Sequence, residues 1–487
     1  MPVHMPIIRT CLRNARRTLI VDDRREYRGA EILVAALHVA SEIERRSQTQ
    51  TVGLLLPTSG AFPICALAGW MLGRTIVPLN YLLKPDELQY VIDDCGCDTI
   101  VTVGPMLDFL GVRPRVENLV MMESIDFKGV PDLRWPARSR PDELACLLYT
   151  SGTSGKPKGV MLSHCNLVSN VRQCLEHVGL RDEDVLLGVL PQFHSFGLTV
   201  LTILPLVRGL RAIYTARFVP QHVMRLLREH RPTMFVGIPS MYNALLAVKQ
   251  AEPADFASLR FTVSGGEPLP EDVFERFRER FGVTICEGYG LTETSPVTNW
   301  CRPEDWRRRS VGTPVPRVEQ VIVDPASGKV LPQGREGEVL VRGPNRMLGY
   351  FNLPEETSQA ISPEGWFRTG DMGRFDKDGH LSITGRIKEM LIVGGENVFP
   401  REIEEVINRH PSVHASAVIG MTDPMRGEVP VAFVELEEGA TFDERSILAL
   451  CRDQLAGYKV PRDVRVLDAL PRNPTGKIQR RQLNQYL

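Results

Sequence analysis

The feature that most constrains the fold is a repeated alternation of short apolar segments with longer segments of helical spacing. TVGLLLP at 51–57, TIVPL at 75–79 and TIVTVG at 99–104 have the pattern of strands that lack a polar face. Between and around them, 29–46 and 84–96 carry apolar residues at helical spacing, and the alternation returns over 212–290. Strands that are apolar on both faces are typical of parallel sheets covered by helices, so we predict an α/β fold.

The pattern changes in the second half of the chain. From about 310 to 385, short strands such as EQVIVD and GEVLVRG alternate with turns such as PASGK and DKDG, which predicts a β-rich subdomain. The last hundred residues mix helices and strands. A chain of 487 residues exceeds one compact core. We therefore predict a large domain over 1–385, with two parallel-rich αβ subdomains and the β-rich one, and a small mobile α+β domain over 386–487.

Composition excludes several classes of protein. With 58 basic and 59 acidic residues, the chain has no overall field that favours nucleic acid. The ten cysteines show neither a paired framework nor zinc-ligand spacing, which favours reduced thiols and a cytoplasmic protein. The N-terminus is interpreted as lacking a signal peptide, because arginines follow its short apolar stretch at once.

One uncharged segment needs a membrane test. Val185–Val207 contains no Asp, Glu, Lys or Arg. It nevertheless includes polar residues and prolines, which would place breaks and unpaired groups inside a bilayer. We predict a buried strand, turn and helix there and no membrane span.

The stretch YTSGTSGKPKG at 149–159 is rich in glycine, hydroxyl and lysine residues. Backbone N–H groups and ammonium heads of this kind bind polyphosphates. The spacing is not that of a Walker loop, because two residues instead of four separate Gly152 from Gly155, and Pro157 replaces the required Ser or Thr. By itself, the stretch fits either another kind of phosphate loop or an ordinary hairpin tip.

Five further segments follow in order: EGYGLTE at 287–293, GEVLVRGPNRMLGY at 337–350, GWFRTGD at 365–371, GRIKEMLIVGGENVFPREIE at 385–404 and NPTGK at 473–477. Together with YTSGTSGKPKGV they resemble the signature motifs of the acyl-adenylate-forming superfamily, of the fatty acyl-CoA synthetase type. The resemblance implies that a carboxylic acid attacks ATP to give acyl-AMP and pyrophosphate, and that a thiol then displaces AMP. It implies ATP, Mg²⁺ and coenzyme A as cofactors and co-substrates.

The resemblance also implies a nucleotide site. Asp371 is expected to accept both ribose hydroxyls, and Arg386 to be a second ribose contact. Gly288 and Tyr289 are expected to lie on one side of the adenine. The other residues implied to bind ATP are Thr150, Ser151, Gly152, Thr153, Ser154, Gly155, Lys158, Gly265, Gly266, Glu267 and Pro268.

Four residues are implied in catalysis. Lys477 matches the catalytic lysine that bridges carboxylate and α-phosphate, and Thr292 matches an α-phosphate contact. Glu293 matches the carboxylate that holds magnesium. His194 is expected to border the acyl pocket as a gate.

The small domain is implied to swing on Lys388 between adenylation and thioester formation. The resemblance assigns the thiol step to the loop of Gly394, Gly395 and Glu396. Arg307, Arg308 and Arg309 are interpreted as a solvated charge run outside the site.

The substrates are less constrained. Apolar residues around 190–206 and 236–246 favour a medium- or long-chain fatty acid, but chain length stays open, as do aromatic acids. FHSFGLT resembles acyl–acyl-carrier-protein synthetases, whereas GRIKEMLIVGGENVFPREIE resembles CoA ligases. The alternative is therefore an acyl–acyl-carrier-protein synthetase, or a fatty acyl-AMP ligase, that loads the thiol of a carrier protein. A catalytically silent nucleotide-binding protein is the alternative of a different class. A homodimer is also left open.

Overall fold

The structure is a computed structural model that describes residues 1–151, 156–472 and 478–487, with Ser151 described by its backbone alone. In chain order, the strands are β1 (Thr18–Val21), β2 (Glu26–Arg28), β3 (Thr51–Leu55), β4 (Thr75–Pro78), β5 (Thr99–Thr102), β6 (Asn118–Met121), β7 (Leu144–Ser151), β8 (Pro157–Ser163), β9 (Val185–Gly188), β10 (Arg211–Tyr214), β11 (Met234–Gly237), β12 (Phe261–Ser264), β13 (Cys286–Gly290), β14 (Val297–Trp300), β15 (Thr313–Pro314), β16 (Glu319–Val323), β17 (Gly337–Arg342), β18 (Gly349–Tyr350), β19 (Phe367–Phe375), β20 (Leu381–Arg386), β21 (Leu391–Val393), β22 (Glu396–Val398), β23 (Val413–Asp423), β24 (Gly427–Leu436) and β25 (Val464–Val466).

The α-helices, in the same order, are α1 (His4–Arg13), α2 (Gly29–Arg46), α3 (Ala61–Met71), α4 (Pro85–Cys95), α5 (Gly104–Leu110), α6 (His164–Val178), α7 (Leu204–Arg208), α8 (Pro220–His230), α9 (Pro239–Leu246), α10 (Pro253–Phe256), α11 (Glu271–Phe281), α12 (Pro354–Ala360), α13 (Pro400–Ile407), α14 (Glu444–Gln454) and α15 (Arg480–Leu483).

Two large sheets form the first part of the fold. One has nine strands in the order β15-β14-β13-β12-β11-β9-β10-β1-β2, and the other has seven in the order β18-β8-β7-β4-β3-β5-β6. The central strands of both sheets run parallel, and antiparallel pairs occur only toward the edges of these ladders. The predicted α/β fold with parallel-rich sheets is therefore confirmed.

Burial explains why the apolar runs became strands. β4 and β5 are buried at every position, as expected of parallel strands covered on both faces. One continuous apolar core joins residues of both large sheets, such as Val52 and Val236, and extends to Val339 of the β-rich part. The chain's first helical segment forms α2 over its full predicted length.

The segment 185–207 folds as the sequence predicts. It contains β9, then a buried π-helical turn over Gly197–Ile203 that leads into α7. No helix among the described residues is both long and apolar enough to cross a membrane.

Two smaller sheets complete the fold. β16, β17, β19 and β20 form an antiparallel four-stranded sheet, and β21 to β25 form a separate sheet with apolar clusters on it that include residues of α13, α14 and α15. The chain passes from one to the other through a 3-10 turn at Ile387–Glu389. The division predicted at 385/386 lies one residue before the end of β20, and it stays a prediction as a boundary of independent motion.

Candidate active site

The phosphate-loop segment connects two antiparallel strands. Thr150 on β7 pairs with Lys158 on β8, and β8 continues to Ser163, so no helix begins directly behind the lysines. Lys158 Nζ lies 4.0 Å from Glu356 Oε1 and 5.5 Å from the ring centre of Tyr350. The predicted binding residues Gly152, Thr153, Ser154 and Gly155, and the side chain of Ser151, lie outside the described residues.

The clearest cluster of predicted residues surrounds a buried carboxylate. Asp371 on β19 pairs in register with Arg386 on β20, and Arg386 Nε donates to Asp371 Oδ1 at 2.8 Å. Tyr289 Oη, from β13 of the nine-stranded sheet, donates to Oδ2 at 2.7 Å. Asp371 is only 2% exposed, whereas the Arg386 side chain is 53% exposed. Both carboxylate oxygens are thus fixed, and each retains lone pairs for a further donor.

Protonation in this cluster follows from burial and charge. Burial, followed by the Asp371 charge, raises the pKa of Tyr289, so the phenol keeps its proton and acts as a donor. The Asp371 charge raises the pKa of Arg386, which keeps the guanidinium charged. The cluster is therefore a carboxylate held between a neutral donor and a cation.

The predicted adenine segment follows β12. A Cβ on Gly265 would lie 2.9 Å from Phe196 Cε1, and Gly266 has a φ of +81°, so side chains at these positions are disfavoured for two different reasons. Glu267 is half-buried and Pro268 is exposed. The turn lies beside β13, because Gly288 O is 3.4 Å from the same Cβ position. Gly265 and Gly266 therefore present backbone without side chains at the edge of the turn after β12.

Thr292 and Glu293 lie in a 3-10 turn over Thr292–Thr294. The Thr292 and Ser195 hydroxyl oxygens are 3.2 Å apart, and Tyr350 Oη donates to Glu293 Oε1 at 2.9 Å. Burial raises the pKa of Glu293, while the bond from Tyr350 and the charge of Arg386 act in the opposite direction. Sequence reasoning did not select Ser195 or Tyr350, although each stands inside a motif that it quoted.

A cavity of about 1200 Å³ is lined by the two chain neighbours of Ser195. His194, Phe196 and Gly266 line it at the end that borders the adenine segment. The His194 ring lies 5.8 Å from that of Phe193. A Cβ on Gly197 would collide with the Pro191 carbonyl oxygen, so glycine is needed where the loop that carries His194 folds back.

The cavity walls differ in part from the expectation. Leu190, Pro191, Ile238 and Met241 line the cavity as expected, but the apolar residues of 198–206 are buried in the core instead. Much of the wall comes from elements that the sequence did not connect with the site. These contribute Tyr27, Val34, Ile64, Tyr81, Met106, Phe109, Met122, Ile125 and Phe127.

The predicted hinge and thiol-step residues lie in the C-terminal part. Lys388 is in the 3-10 turn after β20, and burial and the Arg386 charge lower its pKa. Gly394 and Gly395 connect β21 and β22 with φ values of +61° and +87°, and Glu396 is exposed. Among the described residues, no hydrogen bond or ion pair joins this hairpin to Asp371, and Gly394 N donates to Arg426 O within its own sheet unit.

Lys477 lies outside the described residues, but the chain after it is described. Arg480 pairs with Glu404 at 2.7 Å and with Glu389 at 3.3 Å. Burial acts to lower the pKa of Arg480, but the carboxylates of Glu404, Glu389 and Glu267 outweigh it, so the pKa is raised. The start of α15 is therefore close to the adenine segment as well as to the turn that contains Lys388.

The run of three arginines is paired with carboxylates. Arg307 lies 2.8 Å from Asp376 and 2.7 Å from Asp378, while Arg308 and Arg309 both pair with Glu271. The three arginines are therefore occupied by protein carboxylates, as is expected of a charge run outside the site.

Comparison with known proteins was made for the whole chain. Residues 8–351 match the family model of AMP-binding enzymes, and residues 402–477 match that of the AMP-binding enzyme C-terminal domain. The chain is 38% identical to a long-chain-fatty-acid–CoA ligase of Bacillus subtilis over 93% of this chain and 89% of the relative. It is 34% identical to a feruloyl-CoA synthase of Amycolatopsis over 88% and 87%. The crystal structure of ATP-bound MatB from Rhodopseudomonas palustris superposes with a TM-score of 0.90 at 31% identity, covering 100% of this chain and 99% of that one.

Proposed function

Because this chain belongs to the family of AMP-binding enzymes, we propose that it is an acid–thiol ligase. It converts a carboxylic acid and ATP into acyl-AMP and pyrophosphate, and then transfers the acyl group to the thiol of coenzyme A. The proposed acid is a medium- or long-chain fatty acid. The observation that carries the proposal is the fixed Asp371 carboxylate, in a chain whose mostly apolar cavity reaches the adenine segment at Gly266.

The ribose, the adenine and the phosphates of the nucleotide would each bind to a different group of residues. Asp371 accepts the two ribose hydroxyls, with Tyr289 and Arg386 holding its oxygens in place. The adenine lies along the edge of Gly265 and Gly266, where the absence of side chains allows a flat ring to approach. The hydroxyls and amides at 150–155, with Lys158, bind the phosphates.

The first step brings two anions together, so it depends on positive charge and fixed geometry. Lys477 contacts the carboxylate and the α-phosphate as negative charge builds, and Thr292 donates to the α-phosphate. The carboxylate oxygen forms a bond to the α-phosphorus, and pyrophosphate leaves with the electron pair of the broken P–O bond.

Glu293 fits the role of a magnesium ligand. Its carboxylate has one oxygen bonded to Tyr350, and the described residues contain no cluster of three or more metal-binding side chains. Mg²⁺ typically takes one or two protein carboxylates and completes its coordination with phosphate oxygens and water. When bound, the ion would supply charge neutralisation at the phosphates. The hydrogen bond from Tyr350 would hold Glu293 in position for that role.

The acid would occupy the cavity with its carboxylate near His194, which acts as a gate at the inner end. Aliphatic and aromatic side chains dominate the walls, and each buried methylene contributes about 0.8 kcal/mol, roughly fourfold in affinity. The similar proteins from Bacillus and Amycolatopsis, a long-chain-fatty-acid–CoA ligase and a feruloyl-CoA synthase, support an acid–CoA ligase of either substrate type. The volume of the cavity, about 1200 Å³, and its mostly apolar walls favour the fatty acid.

For the second step, the domain of residues 386–487 is proposed to turn about Lys388. This motion presents the exposed hairpin of Gly394, Gly395 and Glu396 to the acyl-AMP. Glycines there let a pantetheine arm pass close to the backbone. Loading of an acyl carrier protein is the alternative, since an exposed hairpin is also accessible to a protein-bound thiol.

The test is mass spectrometry of thioester products from straight-chain acids of increasing length and from aromatic acids, with coenzyme A or holo-carrier protein. We expect CoA thioesters that increase with chain length, by roughly fourfold per methylene, until the cavity is filled. Products on the carrier protein alone would support the alternative acceptor. Products from aromatic acids alone would contradict the fatty-acid assignment.

A further inference from the structure

A strap over residues 126–140, here called the apolar strap, holds three large apolar side chains in solvent. It connects the 3-10 turn at Met122–Ser124 after β6 with β7. Val130 is 92% exposed, Leu133 is 84% exposed and Trp135 is 95% exposed. Three apolar side chains of this size within six residues are unusual on a surface that faces only water.

The apolar strap is held in place at several points. The Phe127 ring lies 5.8 Å from that of His38 on α2, and Ala137 N donates to Met71 O at 2.8 Å. Between these points, Arg134 donates to Glu44 Oε2 at 2.6 Å and to Ser41 Oγ at 3.2 Å. The backbone is thus fixed on α2 and α3, while the three apolar side chains stay outside.

The cavity reaches the surface next to the apolar strap. Phe127 at its start and Val34 on α2 both line the cavity, and they are 39% and 41% exposed. Met122 and Ile125, just before the strap, line the cavity as well. His194 lines the same cavity, so a molecule that enters beside the strap is in a space continuous with His194.

The charge around the exposed side chains is suited to an anionic surface. The strap contains Asp126 and the exposed Asp132, but its four basic residues leave an excess of two positive charges. Lys128 and Arg138 flank the exposed apolar side chains, and no carboxylate of a described residue lies within ion-pair distance of either. Arg134 differs, because it is bound to Glu44. A tryptophan and aliphatic residues next to unpaired cations are typical of segments that lie in the interface of a membrane. Three side chains cover less than the roughly 800 Å² per partner that stable protein interfaces bury.

We propose that the apolar strap docks on the surface of an anionic lipid bilayer. Val130, Leu133 and Trp135 insert among the headgroups, and Lys128 and Arg138 contact lipid phosphates. Docking brings the cavity mouth at Phe127 and Val34 against the bilayer, so that an apolar acid enters from lipid without crossing water. The entry of an acid substrate from the bilayer rests on the proposed function, but the docking itself does not.

The test uses the full chain and vesicles of phosphatidylcholine with phosphatidylglycerol. Co-sedimentation is compared for the unchanged protein, the triple variant Val130→Ser, Leu133→Ser, Trp135→Ser, and Met425→Ser. Met425 is 94% exposed in the turn between β23 and β24, so it is a matched control for the loss of one exposed apolar side chain. Docking through the strap predicts a loss of binding of about tenfold or more in the triple variant and none in the control.

Two further measurements identify what the strap binds. Lys128→Gln with Arg138→Gln should remove the preference for phosphatidylglycerol over phosphatidylcholine. The tryptophan emission should shift to the blue on adding vesicles. Trp135→Phe should abolish that shift, since Trp70 and Trp300 are already buried and the half-buried Trp306 and Trp366 lie outside the strap.

Equal vesicle binding by the triple variant, or none by the unchanged protein, would overturn the proposal. A concentration-dependent dimer that the triple variant loses would overturn it too, in favour of a second copy of this chain. Failure of the proposed function is distinguishable, because it would leave vesicle binding intact while no acid yields a thioester.

Discussion

Arg409 Nη2 lies 2.8 Å from Glu271 Oε2, and this ion pair joins the C-terminal part of the chain to the first residue of α11. Arg308 and Arg309 pair with the same carboxylate, whose side chain is only 10% exposed. Arg309 also lies 3.5 Å from Glu405 of α13. Glu271 is therefore the shared anion of a contact that holds the two parts of the chain in the observed arrangement.

Replacing this anion should loosen that arrangement. In Glu271→Gln, three arginines lose the carboxylate that they share, although Arg308 keeps Glu275 and Arg309 keeps Glu405. We expect acyl-AMP formation to fall about fivefold, equivalent to roughly 1 kcal/mol for a partly exposed ion pair. Thioester formation from supplied acyl-AMP should not fall. The measurement is single-turnover kinetics of each half-reaction. Glu275→Gln is the control, because Glu275 pairs with Arg308 alone among these arginines and its side chain is 54% exposed; equal losses in both variants would contradict the role of Glu271.

The Asp371 carboxylate should determine ATP affinity. Asp371→Asn keeps the shape but removes the charge that two ribose hydroxyls would bind, and hydrogen bonds to charged groups contribute about 1.5–3 kcal/mol each. We therefore expect the Kd for ATP to rise at least tenfold, measured by calorimetry without the acid substrate. Tyr289→Phe should give a smaller rise, since Arg386 still holds Asp371. Asp378→Asn, which removes an exposed partner of Arg307, should leave the Kd unchanged.

The roles proposed for Lys477 and Lys388 can be separated by measuring the two half-reactions. Lys477→Ala should reduce acyl-AMP formation far more than thioester formation from supplied acyl-AMP. Lys388→Pro should give the opposite pattern, because proline restricts the backbone torsion at the proposed hinge. Both are read by following pyrophosphate release and thioester formation separately. If Lys477→Ala slows the two half-reactions equally, the lysine does not have the assigned role.

A buried histidine pair should make the fold sensitive to acid. His4 on α1 and His164 at the start of α6 are both buried, with ring centres 5.9 Å apart, and burial lowers the pKa of each to about 4. The unfolded chain binds protons at the ordinary histidine pKa of 6.5. The free energy of unfolding should thus be fully retained above that pH and decline as pH falls from 6.5 toward 4.

The free energy of unfolding should fall by roughly 1 kcal/mol per histidine for each pH unit in this range. Denaturant unfolding at a series of pH values measures this slope. His164→Gln should make the curve shallower. His414→Gln is the control, because His414 is partly exposed beside Glu437. An unchanged slope in His164→Gln would show that the pair does not cause the acid sensitivity.

Elements with strong local patterns could be predicted from the sequence. The helix at 29–46 follows from its periodicity and buries its apolar face. The strands at 51–55 and 99–102 follow from continuous apolar runs, and they are buried at all or nearly all positions. The motifs assigned Asp371, Arg386 and Tyr289 to one nucleotide site, and the structure joins the three by hydrogen bonds. Hydrophobic periodicity alone would not have predicted these contacts.

Contacts between distant segments could not be predicted. Tyr350 bonds Glu293 across 57 positions and Ser195 bonds Thr292 across 97, and no local pattern specifies such pairs. The cavity wall likewise combines Tyr27, Phe109 and Phe127 from separate elements. In the apolar strap, the sequence VPDLRWP mixes three large apolar side chains with charged residues and prolines, and only the three-dimensional arrangement shows that Trp135 stays exposed.

The most direct test of the account is carboxylate-dependent exchange between ATP and radiolabelled pyrophosphate, measured without any thiol. We predict exchange that requires a carboxylic acid, rises with the length of a straight chain and is strongly reduced in Asp371→Asn. Absence of exchange with every acid, in a protein that still binds ATP, would contradict adenylation and leave a nucleotide-binding protein without this chemistry.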